Sequence, residues 1–357
     1  MRLIFVLPCV ALTFLCWGNY GPLMHEGQHG MGDSRMRPFI CVGLAYFIVA
    51  VIVPILVLKT KGESGNWTVG GFVWSIIAGS AGALGALGII LAFSFNGNPV
   101  YVMPLVFGCA PVVNTLVTMS MTKSFKEASP VFLAGILIVA IGAAGVLYLK
   151  PSGKKKAADA TEEKHVDHDK EAKEKGAKET TGGESAPNYP MILASIALTA
   201  LTWGSYGPLL HKGQMKMAGS RLRPLLCVGL AYFAIAVIVP SLYLNVIGEK
   251  GVWDWTGGLW SLGAGAAGAI GALGIIMAFN FGGKPIFVMP LVFGCAPVIN
   301  TFTTIISKGT MSQISPSFMG ALGMVILGAV MVLVFAPKPK PKGAKPEPPK
   351  VEEKSDE

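Results

Sequence analysis

The chain has 357 residues, 52% of them hydrophobic and only 14% charged, with a formal net charge of +9. Soluble domains run near ~25% charged, so this composition excludes ordinary soluble enzymes and DNA-binding domains. Of the charges, 150–188 holds nine basic and nine acidic and 338–357 six basic and five acidic, leaving 14 basic and six acidic side chains elsewhere. That basic excess reads as membrane topology rather than as a nucleic-acid footprint.

The opening 16 residues are short and apolar like a signal peptide, but no A-x-A-like cleavage site follows them. The stretch after them also recurs far down the chain, so they are read as a first transmembrane helix. Apolar runs long enough to cross ~30 Å of hydrocarbon lie at 3–24, 38–58, 69–95, 99–120 and 131–149. Five more lie at 190–210, 224–247, 257–281, 285–306 and 317–336. Between the two sets, 150–188 reads as a charged, disordered linker, and 337–357 as a disordered Lys/Pro/Glu-rich tail. The expected division is 1–149, 150–188, 189–336 and 337–357.

The two sets are copies. Trp-Gly-Asn-Tyr-Gly-Pro-Leu-Met-His-Glu-Gly-Gln at 17–28 returns as Trp-Gly-Ser-Tyr-Gly-Pro-Leu-Leu-His-Lys-Gly-Gln at 203–214, and 101–115 matches 287–301 at 13 of 15 positions. Each pair is offset by 186 residues. Five spans is an odd number, so the second copy lies upside down relative to the first. The fold class expected is therefore an all-α integral membrane protein of ten transmembrane helices in two inverted five-helix repeats. Such repeats place a site near the bilayer midplane and supply two related conformations. Short loops on the side of the N-terminus carry ten Lys and Arg, including Lys59, Lys61, Lys212, Arg221, Arg223 and Lys284, against four (Arg35, Arg37, Lys250 and Lys308) opposite. The positive-inside rule then puts both termini in the cytoplasm.

Several motifs recur in both copies. The third helix holds Gly79, Gly82, Gly85 and Gly88, repeated as Gly265, Gly268, Gly271 and Gly274. Small residues of this kind allow close helix packing or leave room for a ligand, with Phe93 and Phe279 supplying rings nearby. The fourth helix carries Pro104 and Pro111, repeated as Pro290 and Pro297. An interior proline frees a carbonyl four residues earlier, which makes these four positions candidate hinges. Asn114, Thr115, Asn300 and Thr301 follow, as interhelical bonds or as cavity lining. Trp17, Tyr20, Trp203 and Tyr206 read either as interfacial aromatics or as a solute-binding wall with Asn19 and Ser205. The Gly-x-Tyr-Gly-Pro element is expected to break its helix. His25 and His211 are either solvated loop residues or a proton-coupling pair, and Arg35, Arg37, Arg221 and Arg223 are either snorkelling anchors or an anion site.

The six cysteines fall in apolar runs without a CxxC pair, which indicates neither disulfides nor zinc. No Asp or Glu falls inside an expected span, which argues against proton-driven export of organic cations. No metal, cofactor or catalytic residue is called for, and no enzyme. The expected partners are a small solute and the lipid bilayer, with no nucleic acid, and a homodimer is compatible with the pattern.

Ten spans as five plus five, with Trp-Gly opening each half and a Gly-rich third helix, resemble the drug/metabolite transporter (EamA-like) superfamily. Trp-Gly-Ser-Tyr-Gly-Pro at 203–208 is similar to the first-helix element of its glucose-uptake and L-rhamnose branches. The resemblance implies a secondary transporter in the inner membrane, working by alternating access on a sugar or related metabolite. It also implies a cavity lined by the first, third and fourth helices of each half: Trp17, Asn19, Tyr20, Phe93, Asn114, Trp203, Ser205, Tyr206, Asn280 and Asn300. The rival expectations are an exchanger of anionic metabolites and a non-transporting structural or sensory membrane protein.

Overall fold

A computed structural model of the protein describes residues 3–123, 125–149, 186–281, 285–309 and 314–335. Expectations for the tail, for the linker before residue 186 and for Lys284 fall outside the described residues. Ten helical rods make up the described chain: α1 (Leu3–Gly30), α2 (Met36–Thr60), α3 (Val69–Ser94), α4 (Pro99–Thr122), α5 (Pro130–Leu149), α6 (Tyr189–Lys216), α7 (Leu222–Val246), α8 (Trp255–Asn280), α9 (Pro285–Lys308) and α10 (Pro316–Val334). Seven of them, α1 to α4 and α6 to α8, are long and apolar enough to cross a bilayer. The apolar stretches of the other three are shorter: Pro130–Val146, Leu291–Ser307 and Pro316–Val332. Large apolar side chains such as Leu7, Leu133, Leu137, Leu201 and Leu242 stand exposed along the rods. So much outward apolar surface suits lipid, not water, and the protein is a multi-pass membrane protein in build.

Helix starts follow from local chemistry. The side chains of Thr68, Asn98, Asn188, Asp254 and Ser315 each accept a backbone N–H of the first turn, relieving donors that have no partner inside the helix. Near the middle of α2 and α7 the helix widens into a π-turn, Ile48–Ile52 and Ala234–Ile238. Each lies just before a proline, Pro54 or Pro240, whose ring would collide with the carbonyl four residues back in a regular α-turn.

One expectation is corrected here. Gly-x-Tyr-Gly-Pro does not break its helix, because α1 continues through Pro22 to Gly30 and α6 through Pro208 to Lys216. The residue before each proline is glycine, which has no Cβ to clash with the proline ring. His25, Gln28, His211 and Gln214 are consequently helical residues, not loop residues.

The two repeats interleave. Thr13 donates to the Gly271 carbonyl at 3.1 Å and Trp17 to that of Gly268 at 3.2 Å, while Gly27 packs on Ser261, so α1 and α8 run antiparallel. The equivalent bonds, Thr199 to Gly85 at 3.1 Å and Trp203 to Gly82 at 3.0 Å, run α6 against α3. Gly43 meets Ala236 and Gly229 meets Ala50, so α2 and α7, which are copies of each other, are also antiparallel. The same holds for α5 and α10, where Gly135 touches Val332 and Gly145 touches Ala321. The glycine-rich helices α3 and α8 thus serve close packing. A Cβ on Gly79 would sit 2.7 Å from the Val228 backbone, and one on Gly265 the same distance from Val42.

Candidate functional site

A cavity of about 450 Å³ lies between the repeats. Its inner part is lined by five repeat-equivalent pairs: Trp17 and Trp203, Tyr20 and Tyr206, Tyr46 and Tyr232, Gly82 and Gly268, and Phe107 and Phe293. Trp17 and Tyr20 share a face of α1 because they are three residues apart. The Trp17 indole lies against Gly271 of the facing helix, while the phenols of Tyr46 and Tyr232 lie against Gly268 and Gly82. Both indole N–H groups are spent on carbonyls of Gly268 and Gly82, which fixes the rings in the cavity wall. Tyr20 packs edge-on against Trp203 with centroids 5.7 Å apart. Tyr46 stacks flat on Tyr232 at 3.6 Å and 2° between planes. The hydroxyls of Tyr20 and Tyr206 are buried without a hydrogen-bond partner, two unsatisfied polar groups on residues of the cavity wall.

The outer part is lined from one end only. There, Asn114, Thr118 and Met121 of α4, Leu210, His211, Lys212, Gln214 and Met215 of α6, and Ile275, Ile276 and Phe279 of α8 face the cavity. All three helices contribute their C-terminal portions. Of the equivalents at the other end, Met24, Gln28, Ile89, Ile90, Phe93, Asn300 and Thr304 are less than 9% exposed, His25, Glu26, His29 and Ser307 are more exposed, and none lines the cavity. The cavity is open at one end and packed shut at the other.

Of the residues singled out from the sequence, the cavity brings together Trp17, Tyr20, Asn114, Trp203, Tyr206, His211 and Phe279. Asn19 bonds instead to the Leu15 carbonyl at 2.8 Å and to the Thr303 hydroxyl at 2.8 Å. Ser205 and Thr115 donate back to their own helices, to Leu201 at 2.7 Å and Pro111 at 3.0 Å. Phe93 is buried against His25, with centroids 5.3 Å apart. Asn280 is exposed at the end of α8, and Thr301 is buried with its hydroxyl unpartnered. Asn300 is buried and donates to the Pro99 carbonyl at 3.0 Å, linking α9 to α4. Pro104 and Pro111 lie inside α4, and Pro290 and Pro297 within the span of α9. The two histidines do not meet: His211 is at the open end and His25 at the shut one.

Tyr46, Tyr232, Phe107 and Phe293 are cavity residues not anticipated above. The signal was present, since Gly-Leu-Ala-Tyr-Phe occurs at both 43–47 and 229–233. Lys212 reaches the cavity as well, with Nζ 3.7 Å from the centroid of the Trp74 ring.

Two carboxylate clamps flank the site. Glu63, in the loop before α3, accepts from the Ser220 hydroxyl at 2.6 Å and from the N–H groups of Arg221 at 2.7 Å and Leu222 at 3.2 Å. Glu249 does the same for Ser34 at 2.6 Å, Arg35 at 2.9 Å and Met36 at 3.0 Å. Each glutamate thereby caps the N-terminus of a helix in the opposite repeat, where negative charge is favoured. Arg223 lies 3.5 Å and Arg221 3.1 Å from Glu63, and Arg37 lies 4.0 Å from Glu249. These arginines are committed to glutamates at the loops, away from the cavity lining. Burial pushes the Glu63 carboxyl up, but the Ser220, Arg221 and Leu222 donors outweigh it and hold it below its ordinary value.

No protein-family model matches the chain, and no curated protein does. A solved structure described only as "Crystal structure of protein" is similar across 94% of this chain and 98% of its own, with a TM-score of 0.55 at 18% identity. That likeness shows a shared fold over nearly the whole of both chains.

Proposed function

We propose that the protein is a secondary transporter built as ten membrane-spanning helices in two inverted five-helix repeats, moving a small polar solute by alternating access. One observation carries this reading. The inner cavity is walled by the same residue types from both repeats, while its access is one-sided. A site that must serve both faces of a membrane needs a lining that survives exchange of the two halves. Antiparallel packing of α2 on its copy α7, and of α5 on α10, supports an inverted arrangement. With both termini cytoplasmic in the inner membrane, the open end faces the cytoplasm.

The lining favours a sugar or related metabolite. Indole and phenol faces suit the C–H surfaces of a ring, and the Tyr20 and Tyr206 hydroxyls can bond to its polar edge. Lys212 at the open end supports a second reading, an exchanger of anionic metabolites. We assign no catalytic residue, cofactor or metal. Purified protein in liposomes, given labelled sugars, nucleosides, amino acids and organic anions with and without a pH gradient, tests both readings. Saturable uptake of a neutral sugar supports the first, and counterflow of an anion supports the second. Binding without flux would favour a sensory role.

A further inference from the structure

We propose that the side-chain amides of Gln28 and Asn300 are the latch that keeps one end of the cavity shut, and that Gln214 and Asn114 form the matching latch in a second state. The inference rests on the transporter reading above and adds to it the groups that hold each state.

The two ends of the cavity carry the same amides in different circumstances. At the shut end, Gln28 is 2% exposed, and its Nε2 donates to the Ile90 carbonyl at 3.2 Å and to the Ser94 hydroxyl at 2.7 Å. This ties α1 to α3. Asn300 is 0% exposed and ties α9 to the first turn of α4 through the Pro99 carbonyl. At the open end, the repeat equivalents Gln214, 6% exposed, and Asn114, half-buried, line the cavity instead. Adding the repeat offset of 186 to each acceptor names the partners they would take: the Ile276 carbonyl and the Asn280 side chain for Gln214, and the Pro285 carbonyl for Asn114.

The latch is also built to release. Gln28 Oε1 and Asn300 Oδ1 are both buried without a partner. A buried carbonyl oxygen left dry offsets much of what the amide N–H bonds contribute, so the shut end is held but not locked. The second latch is not an identical copy, because Asn280 stands where the first has Ser94. Unequal acceptors give the two states unequal weight.

The test measures the two ends directly in the purified full-length chain, after its six native cysteines are replaced. Spin labels are placed at His29→Cys with Ser307→Cys across the shut end and, in a second sample, at Met121→Cys with Met215→Cys across the open end. All four positions are exposed, and the two pairs are repeat equivalents. Wild type is expected to give a short 29–307 distance and a long 121–215 distance. Gln28→Ala with Asn300→Ala is expected to shift the ratio of the two populations roughly tenfold toward a longer 29–307 and a shorter 121–215 distance. Adding Gln214→Ala and Asn114→Ala to that variant is expected to reverse the shift. Folded latch variants whose two distance distributions match wild type would overturn the proposal. If the alanine pair does not fold, Gln28→Met with Asn300→Leu keeps the volume, removes the amides and is judged by the same distances. A shift in protein that moves no solute into liposomes upholds the latch and overturns the transport reading. Flux with no shift does the reverse.

Discussion

The Ser220 hydroxyl donates to the Glu63 carboxylate at 2.6 Å across the boundary between repeats, and Ser34 makes the same bond to Glu249 at the opposite face. Each glutamate accepts from a serine hydroxyl and helix N–H donors beside arginines, so its charge is held by several partners together.

Glu63→Gln keeps the shape but removes the charge. The expected cost is about 1–3 kcal/mol of thermal stability in detergent. The pH dependence has a definite sign. The folded Glu63 carboxyl lies below its ordinary value, so its contribution is fully present above the unfolded value and is lost as pH falls through the folded one. Acid should therefore destabilise wild type on the low side of the usual carboxylate range, and Glu63→Gln should show a flatter curve there. Melting temperatures recorded from neutral to acid pH decide it.

Arg223→Ala probes the same cluster and discriminates between solute classes. Because Arg223 bonds to Glu63 and to the Ser64 carbonyl at 3.4 Å, its loss is expected to lower stability by about 1.5–3 kcal/mol. Solute selectivity should not change. A variant that melts like wild type but loses uptake of an anionic solute would return the arginines to a binding role.

Tyr20→Phe and Tyr206→Phe remove buried hydroxyls that have no hydrogen-bond partner within the protein. Thermal stability should hold or rise slightly, since no bond is lost and a dry polar group is removed. Affinity for the solute should fall by about three- to tenfold for each hydroxyl that contacts it. Tryptophan fluorescence titration reports binding through Trp17 and Trp203. Unchanged affinity in both variants would exclude the hydroxyls from recognition.

Gly79→Val places side-chain atoms against the Val228 backbone, where a Cβ alone would lie 2.7 Å from the Cα. Backbone cannot yield as a flexible side chain can, so α3 must move off α7. Loss of about 2 kcal/mol or more is expected, read as reduced yield and a lower melting temperature. Gly320→Val is the control, because nothing lies within 4 Å of a Cβ there.

The repeat was fully legible in the sequence, and with it the pairing of Trp17 with Trp203 and Tyr20 with Tyr206, but not the lining pairs Tyr46 with Tyr232 and Phe107 with Phe293. Trp17 and Tyr20 could be identified as cavity residues by type, but separating them from Asn19 needed the helix. One step along α1 turns a side chain by about 100°, which carries Asn19 away from the cavity and onto Thr303. Arg37 and Arg223 looked like free cations because their partners, Glu249 and Glu63, are about 160 or more residues away in sequence. The one-sided opening was not legible at all. Gln28 and Gln214 occur in nearly identical sequence and are both buried, so local pattern cannot tell which one lines the cavity. That difference belongs to a conformation, not to a motif.

Tyr46 and Tyr232 occupy the same position in their two copies and stack on each other. A residue that meets its own duplicate makes an isologous contact, the kind found where two identical subunits join. Here the two copies that meet are parts of one chain, carried on antiparallel helices α2 and α7. Being one chain, the two copies need not stay identical, and Asn280 at the position of Ser94 is one place where they differ.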